Sequence, residues 1–408
     1  MIDHPFSISR RSLTLTMTVC IVLWLLSQIV IVLNGMDSPQ ISDALRHETL
    51  ARQCADAGVW YPSPEQTAGL PDNPTYINYA GLINIIVLCI KAFGTYKAVF
   101  WLNILSNCVI LASIYMLTKR LCGGKTPAIA AILYCLCPMT VFYVCETMSE
   151  LPCMAMTFLS LVLACRKRVT TLLAAGLVMA VAIYIRPVAA LFAIAAILFM
   201  LLKRENLRRP AAYAAGAAIG CLLTVSLNTR ISGGHRFLSS TTLGVNMLIG
   251  ANDYCHGSYN DMVFDDDIAD ALTGRNVFEC DSVYREIAYG WIKKNPEKWI
   301  SLSLPKIKSQ LGVDKNRERG ISYTYFYLSV LYLATLFGIW IRRRKIAGPD
   351  IAVLFPFACG LALSVLTVGA TRYNFPYIPC LIYFAAPAFG KLLGTTADSH
   401  IASNTHTS

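Results

Sequence analysis

Charge is what this chain has least of. Asp, Glu, Lys and Arg make up 14% of its 408 residues, against about 25% in an ordinary soluble domain. A soluble fold could not cover this much apolar sequence, 55% of the chain, with so little polar surface. Also missing are a Walker A loop, a Gly-rich dinucleotide fingerprint and a Gly-x-Ser-x-Gly elbow. Their absence removes the signatures of P-loop, Rossmann and serine-hydrolase chemistry. There is no Cys-x-x-Cys, Cys135 and Cys137 are too close for a usual zinc pair, and His235 and His256 stand alone. No zinc site is legible. Neither an internal repeat nor a low-complexity tract is visible. No small-x-small cleavage site follows the apolar segment 13–33, and its core is too long for a signal-peptide h-region. It reads as a first transmembrane helix.

What is present is a series of apolar runs of about 17 to 24 residues, the length that spans a bilayer as a helix. Spans are expected near 13–33, 98–118, 126–144, 150–165, 169–185, 187–202, 211–228, 321–341, 350–369 and 374–390. The apolar segment 80–94 is short for a span. The net charge of +11 would suggest nucleic acid in a soluble protein. Here the basic residues lie in short clusters between apolar runs: Arg10/Arg11, Lys119/Arg120/Lys125, Arg166/Lys167/Arg168, Lys203/Arg204/Arg208/Arg209 and Arg342/Arg343/Arg344/Lys345. If 80–94 does not cross, all five fall on one side, as the positive-inside rule favours. This segment is therefore expected to lie in the interface, anchored by Lys91. The expected fold is all-α and polytopic, with about ten transmembrane helices and both termini in the cytoplasm.

That threading gives a transmembrane module 1–228 containing a first outer loop 35–97, a large outer loop 229–320, C-terminal transmembrane helices 321–394 and a disordered cytoplasmic tail 395–408. Most of the fifteen cysteines sit in apolar runs, where free cysteine behaves as a small hydrophobe. Cys255 and Cys280 share the large outer loop, where a disulfide is one option. The stretch 282–313 mixes Tyr284, Ile287, Trp291, Trp299, Leu304 and Ile307 with lysines. Short basic, tryptophan-bearing helices of this kind lie on membrane surfaces, either as a lid over a lipid substrate or as a plain anchor.

Four isolated charges fall on the outer side. Asp37 follows the first span and reads either as a proton acceptor beside a lipid headgroup or as a helix N-cap. Glu150 opens an apolar helix, which is costly without a partner, although it also suits the positive end of a helix dipole. Arg186 interrupts two apolar runs, and its fork of donors matches phosphate; snorkelling to ordinary headgroups is the alternative. Arg372, with Tyr373 beside it, repeats that situation. Two arginines and two carboxylates on one face fit an anionic substrate with an acceptor nearby. Asp265-Asp266-Asp267 reads as solvated surface rather than as a metal motif.

In order and placement these segments resemble the GT-C superfamily of polyprenyl-phosphate-sugar glycosyltransferases, which includes the protein O-mannosyltransferases and the bacterial 4-amino-arabinose transferases of lipid A. The resemblance covers residues 13–200 and, more loosely, 282–390. It is carried by Asp37 to Ala44 (with Ile41 where the family often has Tyr), Asn73-Pro74-Thr75-Tyr76, Lys91-Ala92-Phe93-Gly94, Cys137-Pro138 through Tyr143, Ser149-Glu150, Ile185-Arg186-Pro187, Lys294-Asn295-Pro296 and Arg372-Tyr373 with Pro376. It implies an inverting sugar transfer at the outer face of a plasma membrane, of the bacterial inner-membrane kind. Asp37 and Glu150 would be catalytic, with Asp37 as the base. Arg186, Arg372, Tyr373, Tyr76 and Asp43 would contact the substrate. The implied partners are a polyprenyl-phosphate-linked donor, a glycan, lipid or protein acceptor, and membrane lipids. It implies no definite cofactor; a divalent cation, which Asp37 would help hold as in relatives that use one, is an option. The alternatives are a transporter or lipid-linked saccharide flippase, a surface-polysaccharide polymerase or ligase, and a membrane scaffold. The first would favour inverted repeats and ionisable groups at the midplane, which this sequence does not show.

Overall fold

The computed structural model describes residues 9–69, 75–312, 322–344 and 346–393. The expected tail, Asn73-Pro74 and Lys345 lie outside them. Among the described residues the chain is helical, with no strand. The longer helices are α1 (Arg10–Gly35), α2 (Ser42–Asp56), α3 (Ala80–Phe93), α4 (Ala98–Leu121), α5 (Thr126–Cys135), α6 (Glu150–Ala164), α7 (Val169–Ile185) and α8 (Ala189–Leu202). They continue with α9 (Arg208–Ile231), α10 (Val277–Lys294), α11 (Pro296–Leu311), α12 (Ser322–Arg342), α13 (Gly348–Leu366) and α14 (Ile378–Leu392).

Five helices, α1, α4, α9, α12 and α13, are each long and apolar enough to cross a bilayer. Helix α5 and the turn Met139–Cys145, bent by 54°, make a sixth if taken as one span. Helices α3, α6, α7 and α8 are apolar but have only 14 to 17 residues. At 1.5 Å per residue they reach ~21–26 Å, short of a hydrocarbon core of ~30 Å. The ten expected crossings are therefore not all carried by full-length helices. The shortening has local causes: a break at Pro138 before α6, and Arg186-Pro187 between α7 and α8.

The basic clusters meet at one end of the bundle. The Arg209 guanidinium donates to the Arg166 carbonyl at 3.0 Å and pairs with Glu205 at 2.6 Å. Arg342 pairs with Asp350 at 2.9 Å. At the other end lie the starts of α2, α3, α6 and α8 and the turn 371–377 that leads into α14. Helices α7 and α9 pack backbone against backbone. A Cβ on Gly176 would come within 2.2 Å of the Tyr213 carbonyl, and one on Gly216 within 2.2 Å of the Leu173 carbonyl. Small residues spaced by four let membrane helices approach this closely, and Gly216 and Gly220 supply that spacing.

The described part of the large loop, 229–312, builds a core together with Val368. Val245, Leu248 and Ile249 of the short helix Leu243–Gly250 pack with Val283, Tyr284 and Ala288 of α10 and with Val368. Asp265 caps the helix Asp266–Leu272 by accepting from the Ile268 amide at 3.0 Å. Cys255 and Cys280 are both buried free thiols. Because the α7–α9 contact is backbone against backbone, Gly216→Leu should destabilise the fold by about 1–3 kcal/mol. Thermal unfolding of the detergent-purified variant checks this, with the exposed Leu222→Ala as a control expected to melt near wild type.

Candidate functional site

The site is organised by the break between α5 and α6. Leaving a helix in an apolar setting frees backbone groups that need new partners. Two asparagines one turn apart on α4 provide them. Asn107 donates to the Thr140 carbonyl and to Gln28, both at 2.7 Å. Asn103 donates to the carbonyls of Val144 and Glu146, both at 3.0 Å. On its other side the segment is held by the region around α2. Gln40 donates to the Cys145 carbonyl at 2.9 Å and accepts from the Thr147 amide at 3.1 Å. Thr147 donates to the Ala44 carbonyl at 2.6 Å, and buried His47 donates to the Thr147 carbonyl at 2.8 Å. Residues 145–149 are thus pinned between α4 and α2, with Glu146 among them and Glu150 directly after them.

Two arginine–carboxylate pairs stand side by side at this end. Arg186 Nη1 lies 2.5 Å from Glu150 Oε1, with side-chain exposures of 9% and 1%. It also donates to Ser149 Oγ at 3.1 Å. Neither carboxylate oxygen of Glu150 accepts an aligned hydrogen bond, so the charge attraction holds the pair and acceptor capacity remains. Arg372 pairs with Asp43 at 2.6 Å. Tyr373 links the pairs: Arg186 lies 5.8 Å and Arg372 5.5 Å from the centre of its ring. Tyr79 covers Arg186 at 5.3 Å. Tyr76 instead accepts from Arg46, whose guanidinium lies 4.0 Å from its ring. Asp43 follows Ser42, a non-glycine residue at φ +52°. Strain of that kind, of order 1–3 kcal/mol, persists where surrounding structure imposes it.

Asp37 does not join this cluster. Its carboxylate is fully exposed and lies 3.7 Å from Lys97, away from both arginines. The expected convergence therefore holds for Glu150, Arg186 and Arg372, and the first-loop carboxylate that meets them is Asp43. The cause is local. The buried Gln40 anchors the chain to residues 145 and 147, leaving Asp37 in the turn outside that anchor and Asp43 on the first turn of α2.

The electrostatics separate the carboxylates. Burial pushes the Asp43 carboxyl upward, but the Arg372 guanidinium, aided by His47 and Arg46, holds it below its ordinary value. Glu146 behaves oppositely. Burial, then the neighbouring charge of Glu150 and that of Asp43, raise it to about 7 against the pull of Arg372. Burial also lowers His47, against its bond to the Thr147 carbonyl. Glu146 was not singled out from sequence. The signal that could have found it is the pair Asn103 and Asn107, amides at i and i+4 in an apolar helix, marking broken backbone beside them.

The Arg372 turn is held by α11. Lys306, Ser309 and Gln310 are buried on one face of that basic helix. Lys306 Nζ donates to the Val365 carbonyl at 2.8 Å, near the end of α13. Ser309 donates to the Gly369 carbonyl at 3.0 Å, and Gln310 donates to Asn374 at 3.2 Å. Its Ile300 and Leu304 remain exposed. Among the described residues no group of three or more His, Cys, Asp or Glu side chains is placed to hold a metal ion. With Asp43 and Glu150 both committed to arginine, this donor set does not suit a divalent cation.

Residues 79–228 match a family described as dolichyl-phosphate-mannose-protein mannosyltransferase. No curated protein matches the chain. Among solved structures it is similar to the Archaeoglobus fulgidus oligosaccharyltransferase in the apo form, at 11% identity and a TM-score of 0.51, covering 92% of this chain and 50% of that one. The same enzyme, AglB, in complex with an inhibitory peptide and a dolichol-phosphate gives 11% identity, a TM-score of 0.51 and the same coverages, 92% and 50%. ArnT from Cupriavidus metallidurans in the apo state gives 15% identity, a TM-score of 0.41 and coverages of 91% and 77%. The class is an all-α membrane fold of the GT-C kind. Within it, the chain resembles glycosyltransferases that use polyprenyl-phosphate-linked donors. It spans about half the length of the oligosaccharyltransferase.

Removing one member of a buried ion pair strands the other, typically at a cost of 3–5 kcal/mol. Glu150→Ala should therefore lower the unfolding temperature markedly, whereas Asp37→Ala should leave it unchanged. Differential scanning calorimetry in detergent checks both.

Proposed function

We propose that this chain is a membrane glycosyltransferase that moves one sugar, with inversion, from a polyprenyl-phosphate carrier to an acceptor hydroxyl. The acceptor is carried by a glycan, a lipid or a protein. The reaction takes place at the non-cytoplasmic face, because the basic clusters that mark the cytoplasmic side gather at the opposite end of the bundle. The observation that carries the reading is the pair of guanidiniums flanking Tyr373, each matched to a carboxylate. Two fixed cations beside a lipid boundary suit a phosphomonoester-linked lipid headgroup. The family match and the likeness to an enzyme solved with a dolichol-phosphate support the same substrate class.

The chemistry follows from the geometry. The acceptor oxygen attacks the anomeric carbon from the face opposite the phosphate. The bond between that carbon and the phosphate oxygen breaks, and its electron pair leaves on the phosphate. Arg186 and Arg372 neutralise the growing charge. Fixed donors aimed at developing charge are worth about 10²–10³ in rate. The acceptor proton passes to Glu146, whose position near 7 suits a general base at neutral pH. Glu150 holds Arg186 in place and Asp43 does the same for Arg372. Tyr79 and Tyr373 wall the sugar side, and Tyr76, held by Arg46, lies at the edge of the cavity.

Incubation of the purified protein with a panel of labelled polyprenyl-phosphate sugars should show one donor consumed with release of polyprenyl phosphate. Arg372→Ala should reduce the rate by about 10²–10³; a rate close to wild type with both arginines replaced would remove the phosphate assignment. A base must be ionised, so the rate should rise about tenfold per pH unit below 7 and level off above it. Glu146→Gln should be slow and should lose this dependence. Asp37→Asn should stay near the wild-type rate, and a severe loss there would return the proton to Asp37.

A further inference from the structure

The bundle holds a cavity toward the end opposite the charged cluster. It opens among α4, α6, α8, α13 and α14, with a volume of about 140 Å³. An engineered apolar void of ~150 Å³ stays dry and takes up benzene. The cavity exists because the sequence puts small residues where a bundle core needs bulk: Ala164, Ala195, Ala196 and Ala352 all line it. Phe192, Ala196, Phe199 and Lys203 form a single stripe along α8. From Phe192 to Lys203 the stripe runs for ~16 Å. Glu150 and Ala164 sit at opposite ends of α6, ~21 Å apart. The cavity therefore lies at the basic end, not at the glycosyl-transfer site.

The mouth carries more positive than negative charge. Arg120, Lys203 and Arg209 line it with Glu205, and all four surround Cys165. Arg209 and Glu205 are committed to each other at 2.6 Å. Among the described residues neither Arg120 nor Lys203 has a carboxylate partner, and both are exposed. An apolar slot with two uncommitted cations at its rim matches an anionic lipid, and basic pockets between membrane helices on the cytoplasmic side commonly hold such headgroups.

We propose that this cavity binds one acyl chain of an anionic phospholipid, with the lipid phosphate on Arg120 and Lys203. The site is independent of the glycosyl-transfer reading. The occupant stands where core packing is missing, so its binding should stiffen the basic end of the bundle.

The test uses the full-length protein in detergent, with phosphatidylglycerol and phosphatidylcholine of the same chains as probes. Phosphatidylglycerol should raise the unfolding temperature and survive as a bound adduct in native mass spectrometry, while phosphatidylcholine should do neither. Lys203→Gln, an exposed change that leaves the core untouched, should weaken the phosphatidylglycerol adduct at least fivefold. Ala196→Phe should remove it while restoring thermal stability without lipid. Inorganic phosphate alone should have no effect, because it leaves the slot empty; a full effect from phosphate would overturn the lipid assignment. So would equal retention of both lipids, an adduct unchanged in Lys203→Gln, or displacement by polyprenyl phosphate, which would give the slot to the carrier's tail.

Discussion

Two guanidinium groups share one tyrosine ring at the edge of an apolar bundle, and much of the site's arrangement follows from that. A cation in such a place needs a counter-charge, and each arginine recruits its own carboxylate. Glu150 must then open α6 rather than lie within it, and α2 must begin where Asp43 can reach across to the turn before α14. The broken backbone of residues 136–149 is tolerated because Asn103, Asn107, Gln40 and His47 supply the bonds that helix would have made. The polar interior is thus a consequence of placing two arginines together.

The site separates carboxylates paired with arginine from one that is not. Asp43 and Glu150 are tied to arginine, and their charge is fixed by that tie. Glu146 is left without such a partner, in partial burial beside other carboxylates, and so it alone of the three titrates near neutrality. The basic helix α11 takes part as well. Its buried Lys306, Ser309 and Gln310 grip the turn that presents Arg372, while its exposed Ile300 and Leu304 leave an apolar face toward the surroundings.

The membrane class, the helical content and the isolation of Glu150 and Arg186 were legible because charge is rare here and both stand out against apolar flanks; that they pair with each other was not, because the arginine was read as a partner for phosphate. Helix lengths were less so, since hydropathy averages over Pro138 and Arg186-Pro187 and counts a bent or shortened segment as a full crossing. Asp37 was favoured by its position after the first span. What it lacked was any sequence sign that Gln40, three residues on, is an anchor that turns the chain and leaves Asp37 in water. Glu146 was hidden for a similar reason. Its raised value comes first from burial in the folded bundle, then from the charge of Glu150 and that of Asp43 against the pull of Arg372, and burial is not written in local sequence.

The bond between Asp43 and Arg372 joins positions 329 residues apart. Glu150 and Arg186 face each other across a single helical hairpin, so they can neutralise one another soon after both emerge from the ribosome. Asp43 meets its arginine only after 329 further residues have been made. Until residue 372 is in place, Asp43 has only the nearby charges of His47 and Arg46 to offset its own, and the start of α2 is not yet tied to the turn before α14.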